Sequence, residues 1–278
     1  MPRSLVHGPA PALAAWRRTA PCEIAVSKSS PWAAFVDTAS PLDLPEGLQQ
    51  TVLRGRPALG LCVTDMDSTL IEEEVIDELA RRAGRFEEVA AITEAAMQGA
   101  LDFEASLRRR VRALAGTSAS VLAEVRGAVR LRPGAERLIR AVHGMGGRAG
   151  VVSGGFIEVV GPIAEALDLD FAHAHRLQVA NGRLTGQIEG PIVGGPEKAS
   201  TLRRWASEAH VPQDATLAVG DGANDLQMLK AAGLGVAFCA KPKVRAAADV
   251  CLDVPQLDGV LYLWGLDDER IDEAASRG

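Results

Sequence analysis

A short, continuous apolar run that ends in two acids, LGLCVTDMD from Leu59, restricts how this chain can fold. A run of that length has the reach of one strand, and apolar residues at successive positions mean that both of its faces are buried. Similar runs recur at 148–155 (RAGVVSGG), 216–222 (TLAVGDG) and 234–238 (LGVAF), with 249–253 (DVCLD) as a fifth candidate. Helical stretches separate most of them, among them 133–145, with Leu138, Val142 and Met145 on one face, and 199–210. Strand–helix alternation predicts an open α/β sheet with right-handed crossovers.

One interval interrupts the alternation. Residues 72–130 hold no convincing strand and predict four helices separated near Gly84, Gly99 and Gly116. We therefore expect a helical cap at 77–130, inserted into an α/β core made of 58–76 and 131–278. A second excursion, RLQVANGRLTGQIEG, sets Asn181-Gly182 between two alternating runs and predicts a β-hairpin flap. Residues 1–57 are rich in Pro, Ala and Ser, are punctuated by Pro41, Pro45 and Pro57, and carry no periodicity that assigns them a fold.

Composition narrows the classes of partner. A net charge of −6 makes nucleic acid and anionic membrane surfaces poor electrostatic partners, so any anionic ligand has to be met by local cations. No apolar segment approaches the roughly 20 residues of a membrane span. The amino end lacks the apolar centre of a signal peptide, so the expected location is cytoplasmic. Cys22, Cys62, Cys239 and Cys251 show no C-x-x-C spacing and are expected to be reduced core residues.

Four groups of residues carry chemistry. Asp65 and Asp67 fall at the carboxyl end of the first strand, the edge where open α/β sheets bind ligands. Residues two apart on a strand face the same way, which suits one acid as nucleophile or metal ligand and the other as a proton donor. By itself D-x-D also reads as an acidic loop. Ser153 with Gly154-Gly155 offers a hydroxyl and exposed amides to an anion, although Ser-Gly-Gly is a common loop as well. Lys198, at the start of the predicted 199–210 helix, could neutralise a carboxylate and a phosphoryl oxygen, or simply be solvated. Asp221, Asn224 and Asp225 in GDGAND supply hard oxygens that suit Mg²⁺, or equally an N-cap for a helix at 224–232.

These motifs, in this order and with a helical insertion after the first, resemble those of the haloacid dehalogenase superfamily. DMDSTLIEEEVIDELA, ITEAAMQGALDFEASLRRRV, VVSGGF and AVGDGANDLQML are similar to its phosphoserine phosphatase branch in particular. The resemblance implies a Rossmann-like core. It also implies the hydrolysis of O-phospho-L-serine to serine and phosphate, the last step of serine biosynthesis, through a phospho-aspartate.

Under that resemblance Asp65 is the nucleophile and Asp67 the proton donor. Mg²⁺ is held by the Asp65 carboxylate, the Asp67 main-chain carbonyl and Asp221. Ser153, the Gly154 amide, Lys198 and Asn224 bind the phosphoryl group, with Asp225 supporting them from behind. Glu74 takes the substrate ammonium and Arg110 its carboxylate, while Met97 and Phe103 close the pocket. On residue type alone, Glu72-Glu73-Glu74 and Arg108-Arg109-Arg110 read as solvated helix faces, and Met97 and Phe103 as core.

Two departures from the family stand out. About 57 residues precede the core, too few for a complete regulatory domain of the ACT type. His175 lies where relatives commonly have Asn, and is expected to leave the chemistry untouched. Rival activities are phosphate transfer to an acceptor such as homoserine, another small phosphorylated amino acid or alcohol as substrate, and a receiver-like phospho-aspartate signalling module. The expected partners are a small phosphomonoester and, at most, a second copy of the chain. Since every motif lies between Asp65 and Asp225, residues 1–57 are expected to be partly dispensable for catalysis.

Overall fold

The structure is a computed structural model that describes residues 3–20, 26–28, 30–38, 40–248 and 250–278. The early chain forms β1 (Arg3–His7), α1 (Ala10–Thr19), β2 (Val26–Lys28), β3 (Ala33–Val36) and β4 (Gln49–Leu53). These strands make an antiparallel sheet in the order β2-β3-β1-β4. The sequence assigned no fold here because the strands are short and the prolines dominate the pattern. Period-two burial nonetheless divides the sheet. Val6, Ala34 and Val36 pack with Leu13 and Trp16 of α1, whereas Leu5, Ala33 and Phe35 enter the main core.

The rest of the chain builds a second sheet. Its strands are β5 (Leu61–Thr64), β6 (Arg148–Phe156), β7 (Phe171–Ala180), β8 (Arg183–Glu189), β9 (Thr216–Gly220), β10 (Leu234–Phe238) and β11 (Val250–Leu252). Their order is β11-β10-β9-β5-β6-β7-β8, all parallel except the β7–β8 hairpin. The first strand of the domain, β5, thus lies between β6 on one side and β9 on the other. The chain builds outward from β5 in both directions, which opens a crevice at the carboxyl ends of these strands. The hairpin turns at Asn181-Gly182, both with positive φ (51° and 71°), as a two-residue turn of that composition requires.

Helices cover both faces, and successive residues of β5 separate them. Leu61 and Val63 pack with α8 (Gly195–Glu208) and α9 (Leu226–Ala231), and Cys62 packs with α6 (Ala135–Gly144) and α11 (Asp268–Ala275). The remaining core helices are α7 (Ile157–Ala166) and the short α10 (Pro242–Arg245). Between β5 and α6 lie α2 (Val75–Arg82), α3 (Phe86–Met97), α4 (Phe103–Ala113) and α5 (Val121–Arg126). Gly84, Gly99 and Gly116 take left-handed φ values after the first three of these, where a residue with a Cβ would be strained. Among the described residues, no helix is long and apolar enough to cross a membrane.

Three sequence expectations need correction. The 199–210 helix begins earlier, at Gly195, because Pro196 is well suited to the first turn. The helix expected at 224–232 is shorter, since residues 222–225 form a turn ahead of α9. Of the described cysteines, only Cys62 is fully buried in the core. Cys251 is half-buried on the edge strand β11, Cys239 turns out of the sheet with φ 45° and is exposed, and Cys22 lies outside the described residues.

Phe35 is 1% exposed and meets the Tyr262 ring edge-on, with centroids 6.5 Å apart. Phe35→Ala should lower unfolding free energy by about 3 kcal/mol in urea titrations. Turnover measured well below the melting temperature should stay near wild type, because the contact is made away from the crevice.

Candidate active site

Asp65 follows β5 directly, and its N–H donates to the Val219 carbonyl of β9 at 2.9 Å, which fixes its backbone between two strands. Its Oδ1 accepts from the Met66 N–H at 2.6 Å and lies 2.8 Å from Lys198 Nζ. Lys198, in the first turn of α8, is fully buried and reaches Asp225 Oδ1 at 2.7 Å as well. Asp225 Oδ2 accepts the Gly222 N–H at 2.9 Å, so both of its oxygens are engaged. Gly220 permits this arrangement, since a Cβ there would fall 2.5 Å from the Asp225 carboxyl carbon.

Two buried carboxylates around one buried ammonium leave a negative surplus. Burial raises the Asp65 pKa well above the ordinary value, and Asp225 adds to the effect while Lys198 opposes it. Burial also lowers the Lys198 ammonium's affinity for its proton, but Asp225 and Asp65 outweigh it and hold the group charged. Asp221, after β9, is pushed up to about 6 by burial against the opposing charge of Lys241. Oxygens of Asp65, Asp221 and Asp225 all lie within 4.8 Å of one another. Hard oxygen donors with uncompensated charge fit a divalent cation. Asp225 is held at both oxygens by the short contacts to Lys198 and Gly222, whereas Asp221 meets Thr69 and Lys241 only at 3.4 and 3.5 Å and the contacts of Asp65 fall on Oδ1, so Asp65 and Asp221 are the freer donors.

After Asp65 the chain coils tightly, and Ser68 adopts a left-handed φ of 57°. Arg132 Nη2 donates to the Ser68 carbonyl at 2.7 Å and Ser68 Oγ to Glu74 Oε1 at 3.0 Å, which pins the coil. Asp67 Oδ1 accepts from the Val75 N–H at 3.2 Å. Burial, reinforced by Glu74, raises the Asp67 pKa to about 8, so this acid carries its proton at neutral pH.

On the other side of β5, Ser153 Oγ accepts from the Gly155 N–H at 2.8 Å. A Cβ at Gly155 would come within 3.1 Å of Asp67 Oδ2, and one at Gly154 within 3.6 Å of Asn224 Nδ2 and 3.2 Å of the Phe103 ring. The loops bearing Asp67, Ser153, Asn224 and Phe103 therefore converge on one spot.

The charged helix faces divide. Glu72 and Glu73 pair with Arg130, Arg108 pairs with Glu104, and Arg109 is exposed. Glu74 instead faces Ser68 and Lys241 at the crevice. Arg110 is half-buried, its pKa lowered by burial against the opposing charges of Glu74, Asp77 and Asp67, and its buried Nε has no hydrogen-bond partner among the described residues. Met97 does not join the group. It is 74% exposed at the end of α3, so in this conformation it covers nothing, contrary to expectation.

One residue was missed from the sequence. Lys241, just beyond β10, sets its ammonium 3.6 Å from Glu74 and 3.5 Å from Asp221. Its only signal was a position after a strand at the same sheet edge. His175, expected to lie behind the reacting groups without altering their chemistry, has its ring Nδ1 3.1 Å from the Gly154 carbonyl.

Lys198→Met keeps the side-chain volume but strands Asp65 and Asp225. Urea unfolding at neutral pH should show a loss of roughly 3 kcal/mol. The loss should shrink in acid, where Asp65, whose pKa burial already raises, takes up a proton.

The arrangement unites a buried nucleophile candidate, a proton-bearing acid, an anion cradle and a cation site. A model of the haloacid dehalogenase-like hydrolases matches residues 62–230. Phosphoserine phosphatase of Streptomyces coelicolor is 55% identical over 219 residues, 79% of this chain and 53% of that protein. This chain thus spans about half the length of that relative. Phosphoserine phosphatase of Lactococcus lactis is 47% identical over 204 residues, covering 73% of this chain and 94% of that protein. A solved phospho-aspartyl intermediate analogue of phosphoserine phosphatase superposes with a TM-score of 0.70 at 42% identity, over 74% of this chain and 99% of the other. With the family model covering more than half of the sequence, and the acids, cradle and lysine meeting at one sheet edge, the chain belongs to the haloacid dehalogenase-like hydrolases.

Proposed function

We propose that the chain hydrolyses O-phospho-L-serine to L-serine and phosphate through a phosphoryl group carried on Asp65. The observation that most supports this is the division between the two acids of one short segment. Asp65 lies 2.8 Å from the Lys198 ammonium, which opposes the effect of its burial and favours the carboxylate, whereas burial and Glu74 push Asp67 up to about 8. The named relatives and the solved intermediate analogue support the same chemistry.

In the first step Asp65 attacks phosphorus with Oδ2, the oxygen not engaged by Met66 and Lys198. The bond from phosphorus to the seryl oxygen breaks, and Asp67 gives its proton to that oxygen. Asp67, now a carboxylate, takes a proton from water as the water oxygen attacks the phosphorus of the acyl phosphate. Phosphate leaves and both acids return to their starting state. Ser153, the Gly154 amide, Lys198 and Asn224 hold the phosphoryl oxygens, with Asp225 keeping the Lys198 ammonium in place. Mg²⁺ at Asp65, Asp221 and the Asp67 carbonyl would supply charge neutralisation to the phosphoryl oxygens.

Substrate choice follows from the helical insertion. A phosphorylated amino acid carries an ammonium and a carboxylate beyond its phosphate, and Glu74 and Arg110 present the opposite charges. The unpartnered Nε of Arg110 suits a carboxylate approaching side-on. Closure of α3 and α4 over the crevice would bring Phe103 and Met97 against the substrate and exclude water.

Asp65→Asn should abolish phosphate release while leaving the melting transition intact, and substantial residual turnover would refute Asp65 as nucleophile. Arg110→Ala should lower kcat/KM for phosphoserine by roughly 2–4 kcal/mol of transition-state binding. Phosphoethanolamine, which lacks the carboxylate, should be affected far less. Equal losses on both substrates would move Arg110 away from the carboxylate.

A further inference from the structure

Between β6 and β7 the parallel register slips. Val152 lies opposite His173 and Phe156 opposite His175, so β6 spends two more residues than its neighbour over this interval. Such a bulge withdraws backbone from the ladder and re-aims it. Here it frees the Ser153–Gly155 segment that cradles the anion. A buried carbonyl released from a ladder needs another donor.

His175 supplies one. Its ring is 1% exposed, with Nδ1 at 3.1 Å from the Gly154 carbonyl and 3.3 Å from the Gly155 carbonyl. On the far side of the ring, Nε2 lies 2.7 Å from the Val193 nitrogen. A backbone N–H can only donate, so Nε2 accepts, and the single proton of the neutral ring sits on Nδ1, facing the carbonyls. In a trans peptide the N–H points opposite to the C=O. Holding the Gly154 carbonyl toward His175 therefore turns the Gly155 N–H the other way, toward Ser153 Oγ, where it is found at 2.8 Å. Val193 is equally well placed, because the next residue, Gly194, accepts the Lys198 N–H at 2.9 Å in the first turn of α8.

We propose that His175 is a positioning residue for phosphoryl transfer, an imidazole strut that sets the Ser153–Gly155 cradle against the segment that delivers Lys198. This rests on the reading of those residues as phosphoryl ligands. The strut touches no substrate group; it fixes the separation between two loops that approach the phosphate from different strands. Asparagine, with one donor and one acceptor at the end of its side chain, can perform both tasks at shorter reach.

The test compares wild type with His175→Ala and His175→Asn in full-length protein. Inorganic phosphate affinity is measured by calorimetry with Mg²⁺ present, alongside steady-state kinetics on phosphoserine and phosphoethanolamine. His175→Ala should weaken phosphate binding about tenfold and lower kcat by about 10- to 100-fold. The ratio of kcat/KM between the two substrates should stay unchanged, since Glu74 and Arg110 are untouched. His175→Asn should recover most of both losses. A folded His175→Ala protein with wild-type phosphate affinity and kcat would overturn the proposal, as would an Asn variant no better than Ala.

Nitrogen NMR of the wild-type ring decides the matter even if the alanine variant does not fold. A proton on Nδ1 supports the strut, and a proton on Nε2 refutes it. If another phosphomonoester proves to be the substrate, the phosphate and NMR measurements keep their meaning. If the wild type binds no phosphate, the phosphoryl reading fails together with this one.

Discussion

A fully buried ammonium between two buried carboxylates organises this molecule. Lys198 cannot leave water unless Asp65 and Asp225 accompany it, and neither acid can be so deeply enclosed without Lys198. The three residues come from the end of β5, the first turn of α8 and the turn before α9. Satisfying the ammonium therefore ties together the central strand and the two helices that cover one face of the sheet. The same requirement explains a glycine at 220, where any side chain would displace Asp225. The arrangement is electrostatically incomplete, since three carboxylates of the site sit above or near the top of their ordinary titration range. A fold that tolerates such a surplus suits a ligand bringing positive charge.

Sheet topology turns this local chemistry into a site. Because β5 lies between β6 and β9, one strand end carries Asp65 while its neighbours on either side bring Ser153 and Asp221. The acids and the anion cradle need no long loops to reach one another. The inserted helices enter from a different direction, so their side chains can vary without disturbing Asp65, Ser153 and Asp221 at the strand ends. Arg110 illustrates the separation. It belongs to α4 and approaches Asp67 and Glu74 from the insertion. The amino-terminal sheet has a different role. It adds Leu5, Ala33 and Phe35 to the main core at the side held by Tyr262.

Much of this was legible along the chain because it rests on short-range rules. Buried parallel strands must be continuous apolar runs, left-handed helix ends favour glycine, and Asn-Gly suits a tight hairpin. The strands at β5, β6, β9 and β10, the breaks at Gly84, Gly99 and Gly116, and the turn at Asn181-Gly182 all follow from these. The chemistry-bearing acids were readable for a similar reason, since a carboxylate just past a buried strand has to face the open edge of the sheet.

What tertiary structure alone decided concerns residues whose neighbours are far away in sequence. Nothing in Arg108-Arg109-Arg110 marks the third arginine, and only the packing of α4 turns it inward while Arg108 meets Glu104. On helical spacing Met97 read as a core residue and it is exposed, because that spacing fixes a face and leaves its partner unspecified. The strands before residue 54 were unreadable, for their pairing joins segments separated by up to half a hundred residues of proline-rich chain. His175 is the clearest instance. A bulge in β6, the strand beside the one that carries Asp65, frees two carbonyls, and a ring in the next strand, β7, meets them. Sequence determines which groups a residue can offer; which groups need them depends on how the backbone's own hydrogen bonds are left when the sheet closes.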